Sequence, residues 1–152
     1  WVIGLNRNEC SDSSETCNHE RDSFMDDTFE YIYRFFDGSL DELGKRNNEV
    51  SSRIVKQDGR CFTAAVYVDG EKRSACSIWV GGLFSDENTI SYNANDKGKT
   101  NSLNDSITVD DDGSSLFMKP MMMSYGRDGF GDKLSQQGAA EYFWHKLMQP
   151  LQ

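Results

Sequence analysis

The sequence has few of the residues that build common catalytic sites. Its 152 residues include only two histidines, although histidine is the side chain whose ordinary pKa best suits proton transfer near neutral pH. His19 lies in a polar stretch, and His145 falls outside the apolar stripe of a predicted helix. No Gly-x-Ser-x-Gly, His-Glu-x-x-His or phosphate-binding glycine motif occurs. The sequence therefore predicts no catalytic residue and no cofactor.

Cysteine is also scarce, with four residues at positions 10, 17, 61 and 76. They are too sparse for a disulfide scaffold and form no Cys-x-x-Cys pair, so reduced cytoplasmic thiols are the favoured interpretation. Cys10, Cys17 and His19 lie close together in the chain. Their spacing fits no common zinc motif and a fourth ligand is missing, so we predict no metal site.

Positive charge and long apolar runs are in short supply. Lys and Arg number 16 against 25 Asp and Glu, a net charge of −9 at pH 7, and such a field repels phosphate backbones and anionic membranes. No apolar run approaches the roughly 18 residues of a membrane span, and no segment resembles a signal peptide. We expect a cytoplasmic protein that binds neither nucleic acid nor membrane.

The aromatic residues are gathered in periodic segments, which favours a globular fold over a disordered chain. Residues 1–21 lack apolar periodicity and read as a linker or the remnant of an upstream segment. Residues 22–152 are long enough for a single domain with one core. The chain begins with Trp1 rather than Met, so we expect a fragment or processed product.

Two segments have the period of an amphipathic helix. The first is predicted from about residue 23 to residue 46, capped by Asp22 or Ser23. The second is predicted to begin after Ser135 and to stop near Pro150. The apolar positions are Phe24, Met25, Phe29, Ile32, Tyr33, Phe36, Leu40 and Leu43 in the first helix and Ala140, Phe143, Trp144, Leu147 and Leu151 in the second.

From residue 52 the apolar period changes to two, which indicates strands. The predicted strands are residues 61–68, 73–80, 88–93, 105–109 and 114–120. A turn is predicted at residues 110–113, where three aspartates lack the alternating ligands and closing Glu of a calcium loop. The predicted fold is α+β, an antiparallel meander of five or six strands with an N-terminal and a C-terminal helix packed on one face.

Asp69-Gly70 is the strongest hairpin signal in the chain. A strict two-residue loop would mix polar and apolar side chains on each face. One bulged residue instead pairs Phe62 with Ile78, and Val66 then shares their face. We predict the bulged register, with Phe62, Val66, Cys76 and Ile78 on one buried face.

A run of methionines follows Pro120, and adjacent thioethers either fill core gaps or form an adaptable binding surface. A glycine-rich segment over residues 125–131 comes next, and such loops often border a ligand or partner site. The candidate ligand or partner surface comprises Met121, Met122, Met123, Tyr125, Arg127 and Phe130.

Three segments carry a family resemblance: Phe-Thr-Ala-Ala-Val-Tyr at residues 62–67, Cys-Ser-Ile-Trp-Val-Gly-Gly at 76–82 and Gly-Ala-Ala-Glu-Tyr-Phe-Trp at 138–144. Together they resemble an uncharacterised domain on the C-terminal side of bacterial TIR-domain proteins, and the likeness covers roughly residues 22–151. In such proteins the TIR part hydrolyses NAD or signals, typically in antiphage defence. The resemblance implies that the appended domain senses, assembles or regulates, and it transfers no catalytic residue.

The first hypothesis is therefore a non-catalytic regulatory, sensing or oligomerisation module of a bacterial TIR-type defence or signalling protein. Its partner would be a linked or separate TIR-type catalytic domain, or further copies of the same chain. The alternative is a stand-alone small ligand-binding protein or an enzyme of unrecognised type. That protein would use a pocket near the methionine-rich strand end and the glycine-rich loop.

Overall fold

A computed structural model describes residues 14–81, 88–99, 104–121 and 133–151. An N-terminal helix is followed by six strands and a C-terminal helix, which ends in a short 3₁₀ turn. The elements are α1 (Ser14–Arg46), β1 (Val50–Asp58), β2 (Cys61–Val68), β3 (Glu71–Val80), β4 (Thr89–Asn93), β5 (Asp105–Asp111), β6 (Leu116–Pro120), α2 (Gln136–Met148) and the 3₁₀ helix Gln149–Leu151.

The six strands form one sheet in the order of the chain, and each pairs antiparallel with the next. The predicted α+β meander between two helices is thereby confirmed. Strand β1 had no predicted range of its own. It is an edge strand in which only Val50 and Ile54 are partly buried, so little apolar alternation marks it in the sequence.

Helix α1 begins at Ser14, well before the predicted start near residue 23. Asp22 and Ser23 are exposed residues inside the helix, so the prediction that one of them caps it was wrong. Missing apolar periodicity argues against burial of a segment but not against helix, since polar residues such as Glu and Arg have good helix propensity. The Arg21 guanidinium donates to the Val109 carbonyl oxygen at 3.3 Å. The division of the chain at residue 21 stays a prediction, although part of the expected linker is helical.

The β2–β3 hairpin has the predicted bulged register. Phe62 pairs with Ile78 and Ala64 with Cys76, and the register shifts between Val66 and Tyr67. In the turn, Asp69 and Gly70 have φ values of 53° and 80°, the left-handed pair that a two-residue hairpin loop with Asp-Gly favours. Phe62, Val66, Cys76 and Ile78 are all 0% exposed and belong to one core, as predicted.

The core lies between the two helices and one face of the sheet. The Phe62 ring contacts three side chains of α1, with centroid distances of 5.7 Å to Phe29, 5.3 Å to Tyr33 and 5.6 Å to Phe36. Phe36 also meets Trp144 of α2 edge to face at 5.4 Å. These contacts join both helices to the centre of the hairpin. Aromatic pairs of this kind contribute beyond the apolar area that they bury.

Helix α2 is capped as predicted, because the Ser135 hydroxyl accepts a hydrogen bond from the Gly138 N–H at 3.0 Å. Its residues Ala140, Phe143 and Leu147 are fully buried, whereas Trp144 and Leu151 are partly buried. The helix gives way to the 3₁₀ turn that contains Pro150. Within the described residues, no helix is long and apolar enough to cross a membrane.

Replacing Ile78 with alanine should lower the free energy of unfolding by about 2–4 kcal/mol, because it leaves a cavity in a fully buried layer. Val55→Ala is the matched control, since Val55 is 36% exposed on the edge strand. The control should cost no more than about 0.5 kcal/mol. Urea denaturation measures both, and equal losses would show that Ile78 is not part of a close-packed core.

Candidate functional site

The face of the sheet away from the helices is polar and nevertheless buried at its centre. Thr63, Ser77, Ser91 and Asn93 lie there, and all are less than a tenth exposed. Alternation along a strand places these residues opposite the apolar core positions. Buried hydroxyl and amide groups need hydrogen-bond partners, and on β3 these come from the chain that follows β4.

Residues 94–99 are attached to this polar face by Ser77. The Ser77 hydroxyl donates to the Asn95 carbonyl oxygen at 2.6 Å and accepts the Gly98 N–H at 2.9 Å. Lys72 and Asp96 add an ion pair at 2.6 Å. Both charged groups are partly exposed, so this pair contributes less to stability than the buried hydroxyl does.

Gly98 has a backbone conformation that favours glycine, and it lies very close to the Gln57 side chain. Its φ is +86°, and a Cβ there would stand 2.5 Å from the Gln57 Oε1 atom. Gln57 is itself displaced from regular pairing, because the β1–β2 register shifts between Lys56 and Asp58. The bulge and the glycine together place the Gln57 carboxamide against residues 94–99.

A cleft forms where the β1–β2 turn faces this segment, and we call it the Gln57 cleft. Its volume is about 420 Å³. The lining residues are Gln57, Asp58, Gly59, Arg60, Cys61, Val80 and Lys99. A smaller cavity of about 170 Å³ adjoins it, includes Arg53, Thr63 and Asp96, and shares the Gln57 side chain.

The thiol in the cleft is neutral at physiological pH. Burial raises the pKa of the Cys61 thiol, and a hydrogen bond to the Lys99 backbone only partly opposes this. The thiol donates to Gln57 Oε1 at 3.5 Å. Burial also raises the pKa of Cys76, which lies on the opposite face of the sheet. Both cysteines are free, as predicted.

Trp79 neighbours Cys61 across the hairpin and is 1% exposed. Its indole Nε1 has no hydrogen-bond partner, the only such buried side-chain nitrogen or oxygen in the described ranges. An unpaired buried donor costs about 1–3 kcal/mol. Nothing in the sequence beyond the strand pattern marks this position.

A second polar cluster ties helix α2 to the start of β5. The Asp105 side chain is 1% exposed and accepts a hydrogen bond from the Tyr142 hydroxyl. The same carboxylate oxygen lies 2.8 Å from the Lys146 ammonium, and the other accepts the Ser106 N–H at 2.7 Å. Lys146 also stands over the Tyr142 ring at 4.8 Å. The buried charge is thus fully compensated, which suits an attachment point more than a reactive group.

Of the predicted ligand or partner surface, the structure describes one residue. Met121 is 57% exposed at the end of β6, and its N–H donates to the Ser106 carbonyl oxygen at 2.9 Å. It therefore does not fill the core, and it lies beside the Asp105 cluster. Outside the described residues are Met122, Met123, Tyr125, Arg127 and Phe130, so that surface stays a prediction.

Of the two possible metal sites considered in the sequence, one lies mostly outside the described residues and the other is described. Cys10 and the side chain of Cys17 lie outside the described part, and His19 is exposed on α1. The predicted turn after β5 is confirmed: Asp112 Oδ1 accepts the Ser114 and Ser115 N–H groups at 3.0 and 2.9 Å. These bonds lower the pKa of Asp112. Among the described residues, no group of three or more His, Cys, Asp or Glu side chains could hold a metal ion.

Gln57, Gly98 and Lys99 were not singled out from the sequence. Gln57 lies some 40 residues before Gly98 and Lys99 in the chain, and it meets them only because residues 94–99 fold back over the sheet. The sequence offered two weak signals: a glycine at position 98, the residue type that most readily adopts a positive φ, and a turn at Asp58-Gly59. Neither signal indicates a cleft.

Comparison with known proteins places the chain in a family. Residues 51–149 match the model of the Y4lF protein domain. The chain belongs to the Y4lF domain family. A relative, the uncharacterized protein y4lF of Sinorhizobium fredii (strain NBRC 101917 / NGR234), is 42% identical over 134 residues. The alignment covers 88% of this chain but 41% of that relative. No solved structure matches the chain significantly.

The family match includes the Gln57 cleft, since its lining residues lie between positions 57 and 99. It also includes the Asp105 cluster, which ends at Lys146. Both features therefore belong to the matched Y4lF domain, whereas the whole of α1 precedes the matched range.

Gly98→Ala should cost about 1–2 kcal/mol of unfolding free energy through its positive φ. Gly113→Ala is the matched control, because Gly113 has a φ of +92° and open space where the Cβ would lie. The two losses should be similar, since the flexible end of Gln57 can move away from a new methyl group. Only Gly98→Ala should shift the Gln57 side-chain amide signal in an NMR spectrum. Unchanged Gln57 signals would contradict the close approach.

Asp105→Asn should destabilise the domain by about 3 kcal/mol, because it removes the buried carboxylate charge that lies 2.8 Å from the Lys146 ammonium. Glu141→Gln, on the exposed side of the same helix, should leave the melting temperature nearly unchanged. Thermal and urea unfolding compare the two variants. A melting temperature of Asp105→Asn equal to that of the wild type would remove the role assigned to the cluster.

Proposed function

We propose that the domain is a non-catalytic regulatory, sensing or oligomerisation module of a bacterial TIR-type defence or signalling protein. The observation that carries the proposal is the alignment with y4lF, in which the shared region accounts for 41% of the relative's length. In that bacterial protein the domain is joined to a larger amount of other sequence. Domains joined in one chain usually share a modest interface and move relative to each other, which gives one part a means to act on the other.

The choice of a TIR-type partner rests on the three sequence segments described above. Residues 62–67 lie in β2, residues 76–80 lie in its partner β3, and residues 138–144 lie in helix α2. They supply the centre of the fold rather than a reactive site. The partner is accordingly a linked or separate TIR-type catalytic domain, or other copies of the chain.

A regulatory module needs a feature that can report on a signal, and the Gln57 cleft supports this part of the proposal. The cleft lies at one end of the sheet, where the β1–β2 turn approaches Lys99. Its wall includes residues 94–99, which are attached largely through Ser77 and one partly exposed ion pair. Occupancy could therefore alter this wall without unfolding the core.

The second candidate is a stand-alone small ligand-binding protein or an enzyme of unrecognised type. The same cleft favours it, since a volume of about 420 Å³ falls within the range of small-molecule sites. The two candidates differ in whether the domain changes the behaviour of an attached catalytic part, because coupling requires a second site.

The test compares NAD loss by the isolated chain, by a longer protein that carries the domain, and by that protein without residues 22–152. We expect no turnover by the isolated chain, and altered activity, triggering or assembly after the deletion. The assembly state is measured by light scattering in parallel. Robust turnover by the isolated chain would overturn the non-catalytic assignment. A deletion that changed none of these properties would remove the regulatory one.

A further inference from the structure

The Gln57 cleft gathers hydrogen-bond donors in a chain whose overall charge is strongly negative. Arg60 and Lys99 line it together with the Gln57 carboxamide, and the chain carries a net charge of −9. We propose that the cleft binds a small oxyanion, the phosphate or carboxylate group of a small molecule, between Arg60 and Lys99. Binding of this kind can be measured on the isolated chain, whatever catalytic part is attached to it.

The Gln57 side chain is oriented to donate. Its Oε1 atom accepts the Cys61 thiol proton at 3.5 Å, which leaves the NH₂ group as the free end. No hydrogen bond to that NH₂ group is made by any residue in the described ranges. A carboxamide whose NH₂ group has no partner among the described residues, in a cleft that two cations also line, is suited to an anion and poorly suited to a metal ion.

The two cations are available to a ligand. Within the described part of the chain, Lys99 forms no ion pair, and its ammonium lies near Gly81. Arg60 makes a long contact of 3.4 Å with Asp26, and the two side chains are 56% and 59% exposed. Such exposed pairs hold their partners weakly. The Arg60 guanidinium can thus turn towards an anion in the cleft and bind it through two parallel N–H groups.

The acidic groups of the cleft do not cancel this attraction. Among the described residues, Asp58 is the one carboxylate in the lining, and its Oδ1 accepts the Arg60 backbone N–H at 2.7 Å within the turn. Cys61 is a neutral thiol for the reason given above and so adds no negative charge. Among the described lining residues the balance is one positive charge, and Gln57, Arg60 and Lys99 all carry hydrogen-bond donors.

The size of the cleft favours an anion attached to a small organic group. About 420 Å³ exceeds what a bare phosphate or carboxylate fills, and small-molecule sites begin near 300 Å³. Val80 and the β-carbon of Cys61 supply apolar wall beside the donors. The shared chemistry is the oxyanion, and either a phosphate ester or a carboxylic acid could supply it.

The experiment titrates the isolated chain with inorganic phosphate, adenosine monophosphate and succinate at constant ionic strength, with sodium chloride as reference. NMR spectra follow the Gln57 side-chain amide and the Lys99 backbone amide. We expect saturable shifts of both signals with at least one probe and none with chloride. Response to the two phosphate probes alone would assign a phosphate ligand, and response to succinate alone a carboxylate. Absence of saturable shifts with all three probes would overturn the proposal.

Two variants distinguish anion binding in the cleft from nonspecific attraction by positive charge. Lys99→Gln should weaken binding about tenfold, the loss expected for one charge-assisted hydrogen bond. Lys97→Gln removes the same charge from the same segment but does not line the cleft, and it should bind as the wild type does. Melting temperatures of both variants establish that they fold. Equal weakening by the two substitutions would show that only the general field attracts the anion, which contradicts the proposal.

Discussion

The register of the β2–β3 hairpin determines which side chains meet on each face of the sheet. Because side chains alternate along a strand, a slip of one residue in one strand would send its apolar residues to the opposite face. The bulge beside Tyr67 aligns Phe62 with Ile78 and Ala64 with Cys76. Both helices then dock on that layer, with Phe62 in contact with three aromatic side chains of α1. The rest of the core is built outward from this pair of strands.

The same register places polar side chains on the other face of the sheet, where they are buried and need hydrogen-bond partners. It places Ser77 and Thr63 at the centre of a sheet whose far side is covered, so their polar atoms need partners within the protein. Ser77 meets this need by bonding to Asn95 and Gly98. The Gln57 cleft is a consequence of that attachment, since residues 94–99 become its wall. The polar face of the sheet thus holds the segment that forms one wall of the cleft.

The Asp105 cluster has a different role. It joins the C-terminal helix to the beginning of β5 through a carboxylate that receives a hydroxyl, an ammonium and a backbone N–H. Ser74 reinforces the connection to this helix by donating to the Leu147 carbonyl oxygen at 2.6 Å. Buried polar contacts of this kind specify one arrangement of helix and sheet. Because the helices lie on one face of the sheet and residues 94–99 on the other, a ligand could act on that segment locally, as the proposed sensing role requires.

Much of the fold could be read from local pattern. The helical period of Phe29, Ile32 and Phe36, the Ser135 cap and the Asp-Gly turn each depend on residues close together in the chain, and each was found as predicted. The start of α1 and strand β1 were missed, because both are polar and exposed, and patterns of burial do not mark them. The predicted methionine surface is described only at Met121.

The amino-acid sequence by itself determined the antiparallel strands between two helices, the faces of the central hairpin and the apolar stripe of each helix, because periodicity and turn chemistry act over a few residues. The tertiary structure alone decided that Gln57 lies against Gly98 and Lys99, and that Asp105 lies against Lys146. The members of each pair are separated by some 40 residues of chain. They meet because the buried polar face and the buried carboxylate need hydrogen-bond or ion-pair partners, which distant parts of the chain supply. No pattern of neighbouring residues in the sequence identifies such distant partners.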